Sequence, residues 1–247
     1  MQYPYQKSEG TRYGEYYGYV ADGYFQSWEE IENSPKQLRE LAPGDIKYKD
    51  LNNDNVIDAN DQCYLGKSWF PSWSYGMGFN VNYHNFDLSL FFQGVADVSI
   101  MANGGSMDTG NGDWGAGGVG IVPFTGMGLN PSNVITKALD RWTADNPRAD
   151  AWYPRMTANA TTNDNNYVNS THWLKDGSYL RLKQASLGYT LENKKLMDKG
   201  IEYLYFYLSG QNLLTFSKFK LWDPELGSNG AKYPLSRMVT LGMRVSF

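Results

Sequence analysis

From Trp73 to Tyr83 the chain alternates through eleven positions: Trp73, Tyr75, Met77, Phe79, Val81 and Tyr83 are separated by Ser74, Gly76, Gly78, Asn80 and Asn82. Period two sends successive side chains to opposite faces of an extended strand, so the segment predicts a strand with one apolar and one polar face. After His84-Asn85 the apolar set resumes at Phe86, Leu88, Leu90 and Phe92, with Asp87, Ser89 and Gln93 opposite and Phe91 as the exception. That is the pattern of a tight hairpin. Eleven residues, rising about 3.3 Å each and tilted by about 40°, cross roughly 28 Å, which matches the apolar band of an outer-membrane barrel and exceeds a usual soluble strand. The last residues repeat the device, with Val239, Leu241, Met243, Val245 and Phe247 against Ser236, Met238, Thr240, Gly242, Arg244 and Ser246. A single alternating strand also suits a soluble sandwich, so the remaining chain has to decide.

Composition narrows the choice. The 247 residues are 41% hydrophobic, 15% aromatic and 19% charged, with a net charge of -4 and a mean hydropathy of -0.54. No run of about 18 apolar residues exists for a membrane helix, and a barrel needs none because its apolar positions cancel in a hydropathy average. Cys63 stands alone and excludes an internal disulfide or a cysteine metal cluster. The near-neutral balance gives no case for nucleic acid. Residues 1 to 7 lack the charged and apolar parts of a secretory signal, so an exported protein of this kind is expected to be longer than this chain.

Further strands are predicted over 178–191, 201–213 and 236–247, beside 73–83 and 86–98. In the first of these Leu180 and Leu182 fall on the opposite parity from Ala185, Leu187 and Tyr189, which predicts a bulge near Lys183-Gln184. Over 201–213 both Tyr203/Tyr205/Tyr207 and Leu204/Phe206/Leu208 are apolar, so the lipid side stays open. Ser27 with Glu30 makes a capping box ahead of Pro35, and Ser132 to Asn146 reads as a helix stopped by Pro147. Connections at 84–85 and 192–200 are short, whereas 99–177 and 214–235 are long. Strands running alternately down and up require this, with the short turns and the C-terminus on the periplasmic side. Aromatics at that boundary (Tyr83, Phe86, Tyr189, Tyr203, Phe247) would form a girdle. The reading is therefore all-β: residues 1–72 an extracellular loop region and 73–247 the C-terminal strands of a large antiparallel transmembrane β-barrel, its long loops carrying short helices. Five strands cannot close, since the smallest membrane barrels use about eight.

Residues Asp50 to Asp61 space oxygen ligands as calcium loops do. Asp50, Asn52, Asp54, the Val56 carbonyl, Asp58 and Asp61 stand at positions 1, 3, 5, 7, 9 and 12. Asn55 replaces the usual glycine at position 6, a place asparagine can take because it tolerates positive φ, and Asp61 replaces the longer glutamate; a polar turn rich in Asp and Asn is the alternative. A structural Ca²⁺ is expected rather than a catalytic one. Asp223 with Glu225, or Glu29 with Glu30, could be offered as a glycosidase pair, but nothing in the sequence sets them across a bond. His84 and His172 lack ligand spacing, and Gly104-Gly105 and Gly115 to Gly120 lack a strand-to-helix setting for phosphate. No catalytic function is expected. Loop tryptophans such as Trp69, Trp114, Trp152 and Trp173 could stack on sugars or simply pack.

Several segments in order resemble the C-terminal region of SusC/RagA-type TonB-dependent outer-membrane transporters of Bacteroidota. These are Tyr17-Gly18-Tyr19-Val20-Ala21-Asp22-Gly23-Tyr24-Phe25, Pro43-Gly44-Asp45-Ile46-Lys47-Tyr48, Ser178-Tyr179-Leu180-Arg181-Leu182, Leu187-Gly188-Tyr189, Ser209-Gly210-Gln211-Asn212-Leu213 and Tyr233-Pro234-Leu235-Ser236-Arg237. The resemblance implies the last part of a barrel of about 22 strands around a plug. It implies import of glycans, oligosaccharides or peptides across the outer membrane, a SusD-like lipoprotein lid, and energy from TonB-ExbB-ExbD through parts absent from this chain. It also implies that Thr240, Gly242, Val245 and Phe247 are the signal read by the barrel-assembly machinery. The alternative from another class is a secreted, calcium-stabilised carbohydrate-binding β-sandwich; a glycan hydrolase using Glu225 is a third.

Overall fold

A computed structural model describes residues 3–103, 135–156, 165–228, 230 and 233–247. Its regular elements are β1 (Glu15–Gly18), β2 (Ala21–Tyr24), α1 (Trp28–Glu32), β3 (Ile46–Tyr48), β4 (Cys63–Ser68), β5 (Trp73–Tyr83), β6 (Phe86–Ala96), β7 (Ser99–Met101), β8 (Leu174–Asp176), β9 (Tyr179–Leu191), α2 (Lys194–Met197), β10 (Tyr203–Ser217) and β11 (Met238–Ser246). The chain divides into two compact units. One comprises Met1–Phe70, Val98–Asp176 and Glu225–Lys232, the other Pro71–Asp97, Gly177–Pro224 and Tyr233–Phe247.

The second unit is one five-stranded sheet in the order β11-β10-β9-β6-β5. All pairs are antiparallel, and within this sheet each strand lies beside the sheet's preceding strand, as in an up-and-down barrel wall. Directly paired residues share a face. Met77 pairs with Phe92, Leu88 with Leu187, Leu187 with Leu208, and Leu208 with Leu241. The apolar sets of all five strands therefore form one continuous face.

Two features of β9 and β10 make this possible. Gln184 pairs with Phe91 but Leu182 with Phe92, leaving Lys183 as the extra residue of a bulge. The bulge switches parity, so Leu180 and Leu182 rejoin Ala185, Leu187 and Tyr189 on the apolar face, as their spacing predicts. On β10 the pairs Leu204–Leu191, Phe206–Tyr189 and Leu208–Leu187 assign the even-numbered residues to that face and the tyrosines 203, 205 and 207 to the other. Tyr203 therefore leaves the expected aromatic girdle, because its register partner is Ser246 of the polar face. Phe86 and Tyr189 do meet, ring centroids 4.7 Å apart.

The polar face packs by its own rules. Tyr205 donates from its hydroxyl to Asp87 (3.0 Å), its ring stacks on Tyr207 at 5.9 Å, and the Arg244 guanidinium lies 5.8 Å above it. The Tyr207 ring crosses to β11 and occupies the place where a Cβ on Gly242 would stand. Arg181, 1% exposed, donates to Asp223 (2.6 Å).

The first unit buries Phe25, Ile46, Tyr153 and Trp173 completely or nearly so. Strand β3 pairs with β2 along one edge. Its other edge is satisfied by side chains: Gln37 accepts from the Tyr48 amide (2.7 Å) and donates to the Ile46 carbonyl (3.1 Å), while Asn166 accepts from the Ile46 amide (2.9 Å). Buried amides thus replace a missing strand, meeting the demand that buried backbone groups be paired. Asp45, 1% exposed, takes Arg155 through both of its oxygens, at 2.6 and 2.9 Å, and also accepts from Asn166 (2.7 Å). Gly44, at φ +93°, is covered by Trp142 and Arg155 where a side chain would have to fit. The Pro43-Gly44-Asp45-Ile46 run is therefore a packing motif.

Local expectations met different ends. Ser27 accepts from the Glu30 amide (3.1 Å), but Glu30 reaches back to the Gln26 amide (2.8 Å), one residue before the cap. Instead of a helix over 132–146, the described part holds one 3-10 turn, Thr136–Leu139. The tertiary bonds of Trp142 to the Tyr153 carbonyl (2.9 Å) and of Tyr153 to the Asp140 carbonyl (3.0 Å) replace the helical ladder. Residues 132–134, Trp114 and the glycine runs at 104–105 and 115–120 lie outside the described residues.

Candidate functional site

The apolar face of the sheet is uncovered. Trp73 is 70% exposed and Leu241 80%, and Phe79, Val81 and Met243 are exposed as well. A continuous apolar surface of this kind marks a contact with lipid or protein. A β-sandwich would bury these side chains against a second sheet, and no described residue does so.

The 50–61 loop is built around three aspartates, Asp50, Asp54 and Asp61. Asp50 accepts from the amides of Asn53 (2.6 Å), Asp54 (3.3 Å) and Asn55 (2.8 Å). Asn53 and Asn55 adopt positive φ, 60° and 64°, to aim those amides inward. The sequence expectation that asparagine can stand for the glycine at position 6 holds for this reason. Asp54 accepts from the Val56 amide (2.9 Å) and from the Asn52 side chain (2.8 Å). Asp61, fully buried, accepts from the amides of Leu51 (2.8 Å) and Asp58 (2.9 Å) and closes the neck of the loop. Asp50 and Asp54 thus share the loop with the Val56 backbone, whereas Asp61 turns to the neck. Among the described residues no three His, Cys, Asp or Glu side chains gather as a metal site.

At the terminal strand Thr240 pairs with Ser209 and Gly242 with Tyr207 on the polar face, while Val245 pairs with Leu204 on the apolar one. Phe247 is 84% exposed. Asp223, raised above as half of an acid pair, is engaged by Arg181.

A cationic cluster in the first unit is assembled from distant parts of the chain and could not be seen as a motif. Trp152 carries the Lys175 ammonium 5.2 Å and the Lys137 ammonium 5.9 Å from its ring centroid. Lys175 donates to the His172 carbonyl (2.6 Å), and Lys137 to Asp140 (2.7 Å). Burial, with the Lys137 charge added, brings Lys175 down to about 8. Burial and then the Lys175 charge bring His172 down to about 4, against the opposing bond to the Trp152 carbonyl, so its ring is neutral at pH 7. The same carbonyl, 3.2 Å from Nε2, assigns the proton to that nitrogen. In the sequence His172 has no ligand spacing and Trp152 is one loop aromatic among several.

No protein-family profile matches the chain. It is 28% identical over 255 aligned positions to TonB-dependent receptor P3 of Formosa agariphila, covering 97% of this chain and 22% of that protein. It is 30% identical over 238 positions to TonB-dependent receptor P26 of the same organism, covering 91% of this chain and again 22% of the relative. Among solved structures, the RagAB peptide importer in its closed-closed state superposes with a TM-score of 0.64 at 21% identity, over 94% of this chain and 23% of that one. The open-open state gives 0.61 at 22% identity, over 94% and 22%. The likeness to these transporters is one of fold, and the chain spans less than a quarter of each relative's length.

Proposed function

We propose that this chain, related along nearly its whole length to a segment of the TonB-dependent receptors and folded as a segment of a RagA-type barrel, supplies one wall and part of the mouth of an outer-membrane importer. The observation that carries the reading is the five-stranded meander with one unbroken, exposed apolar face. Lipid covers that face, the polar face lines the barrel interior, and the long connections from β6 to β9 and from β10 to β11 lie on the extracellular side. The cargo class is glycans, oligosaccharides or peptides. A SusD-like lipoprotein closes the mouth, and TonB-ExbB-ExbD acts through the rest of the protein. The RagAB neighbours are described as a peptide importer, which supports peptides beside glycans. No catalytic step belongs to this reading.

Two local roles complete the proposal. A structural calcium ion in the 50–61 loop is supported by the turn of the chain around Asp50 and Asp54, whose oxygens keep lone pairs beyond those given to N–H groups. Thr240, Gly242, Val245 and Phe247 serve as the barrel-assembly signal.

Spin labels test the lipid assignment in the full-length protein reconstituted in bilayers. In a Cys63→Ser background, labels at Met77, Leu187 and Leu241 are expected to relax with dissolved oxygen, and labels at Asn80, Ser186 and Thr240 are not. Water-soluble nickel complex relaxing the first set would overturn the reading.

A further inference from the structure

We infer that Lys175 and Lys137, held on the indole of Trp152, form a binding site for an oxyanion, a carboxylate or a sulfate, carried by a soluble ligand. The geometry is that of a built charge excess. Both ammonium groups lie within 6 Å of one ring centroid, on side chains that are each half-buried, and the Lys137 charge acts on Lys175. The indole offsets part of that repulsion, because the electron-rich face of an indole attracts cations. It supplies no counter-charge.

The local acids do not supply one to Lys175. Asp140 is shared between Lys137 and Arg148, and Asp150 faces Arg148 at 3.3 Å. Among the described residues Lys175 makes no ion pair, and its one hydrogen bond goes to the neutral His172 carbonyl. The His172 ring, uncharged at pH 7, neither compensates nor competes. Tyr24, which donates to the Ala151 carbonyl (2.8 Å), is likewise neutral there. An ammonium has three donors, so Lys175 keeps two for a ligand. Lys137, Lys175 and Trp152 are each partly exposed, so a ligand can reach them.

An oxyanion would satisfy those donors with charge-assisted bonds and relieve the lysine–lysine repulsion together. Two carriers share this chemistry, an acidic sugar and an acidic peptide. That the ligand is cargo rests on the import reading; that the site takes an oxyanion does not.

The test is calorimetric titration of the full-length, detergent-solubilised protein with three probes: trigalacturonate, triglutamate and neutral maltotriose. At least one acidic probe is expected to bind. Lys175→Met keeps the methylene packing on Trp152 but removes the charge, and weakens that probe about tenfold, the scale of one charge-assisted bond. Lys175→Arg retains binding. Maltotriose is unaffected by either change. The acid that binds identifies the carrier. Amine labelling near pH 8 gives a second readout that needs no variant: Lys175 reacts in the free protein and is protected by the same probe. Absence of binding by both acids, equal binding by Lys175→Met, or labelling unchanged by the probe overturns the assignment. A transport assay on the same protein reports separately on the import reading, since binding can survive its failure.

Discussion

A single carboxylate can organise a loop when several amides point at it, and Asp50 does so for the 50–61 segment. The spacing of oxygens was legible in the sequence, as was the tolerance of Asn55 for positive φ. The inward turn of Asp61 was not, because burial of one side chain depends on partners that a local pattern does not contain. The two are separable by experiment. Calcium added to the full-length protein is expected to bind with a Kd of about 10⁻⁴ to 10⁻³ M, the range of extracellular modules. Asp54→Ala removes that heat while leaving the Asp61 bonds and the strands in place. A flat titration of the unmodified protein would leave the loop a turn held by hydrogen bonds alone.

The element scale shows why one strand was ambiguous and another was not. A parity break inside β9 is visible in the order of its leucines, and Lys183 is the residue that carries it. On β10 both faces are apolar, so only the neighbours can say which is which; the register with β9 decides it through Leu208–Leu187. Tyr205 and Tyr207 are accepted on the polar side because that side offers Asp87, Arg244 and the bare backbone of Gly242. Deletion of Lys183 removes the extra residue and leaves Leu180, Leu182, Ala185 and Leu187 on one face by strict alternation, with Arg181 still beside Asp223 on the other. The deletion is therefore expected to give the heat-modifiable, assembled form on semi-denaturing gels, as is Lys183→Ala, which keeps the bulge. Leu182→Arg, which turns an arginine to hydrocarbon at a cost of about 2–4 kcal/mol at mid-bilayer, is expected to lower it. Normal assembly of Leu182→Arg would show that parity does not govern this face.

For the whole molecule, the alternation of short and long connections made the meander legible, because strands that cross a membrane and return must place successive turns on opposite sides. The folding of the first unit was far less so. Its core depends on amides such as Gln37 and Asn166 standing in for a strand, and on an Asp45–Arg155 pair from distant segments, neither of which has a period. The terminal strand joins the two kinds of information. Gly242 has a packing reason to be glycine, since Tyr207 fills the space above it, while Phe247 is 84% exposed. If Phe247 serves assembly and Gly242 serves packing, their variants behave differently. Removing Phe247 lowers the amount of assembled protein in the outer membrane severalfold, and no compensating change in the sheet restores it. Gly242→Ala lowers it through collision with Tyr207, so adding Tyr207→Ala recovers most of the loss, the coupling expected of residues in contact. Quantitative immunoblots of isolated outer membranes measure both. Unchanged levels after loss of Phe247 would remove the assembly role from the chain's final residue, and a Gly242→Ala defect untouched by Tyr207→Ala would return that glycine to the signal.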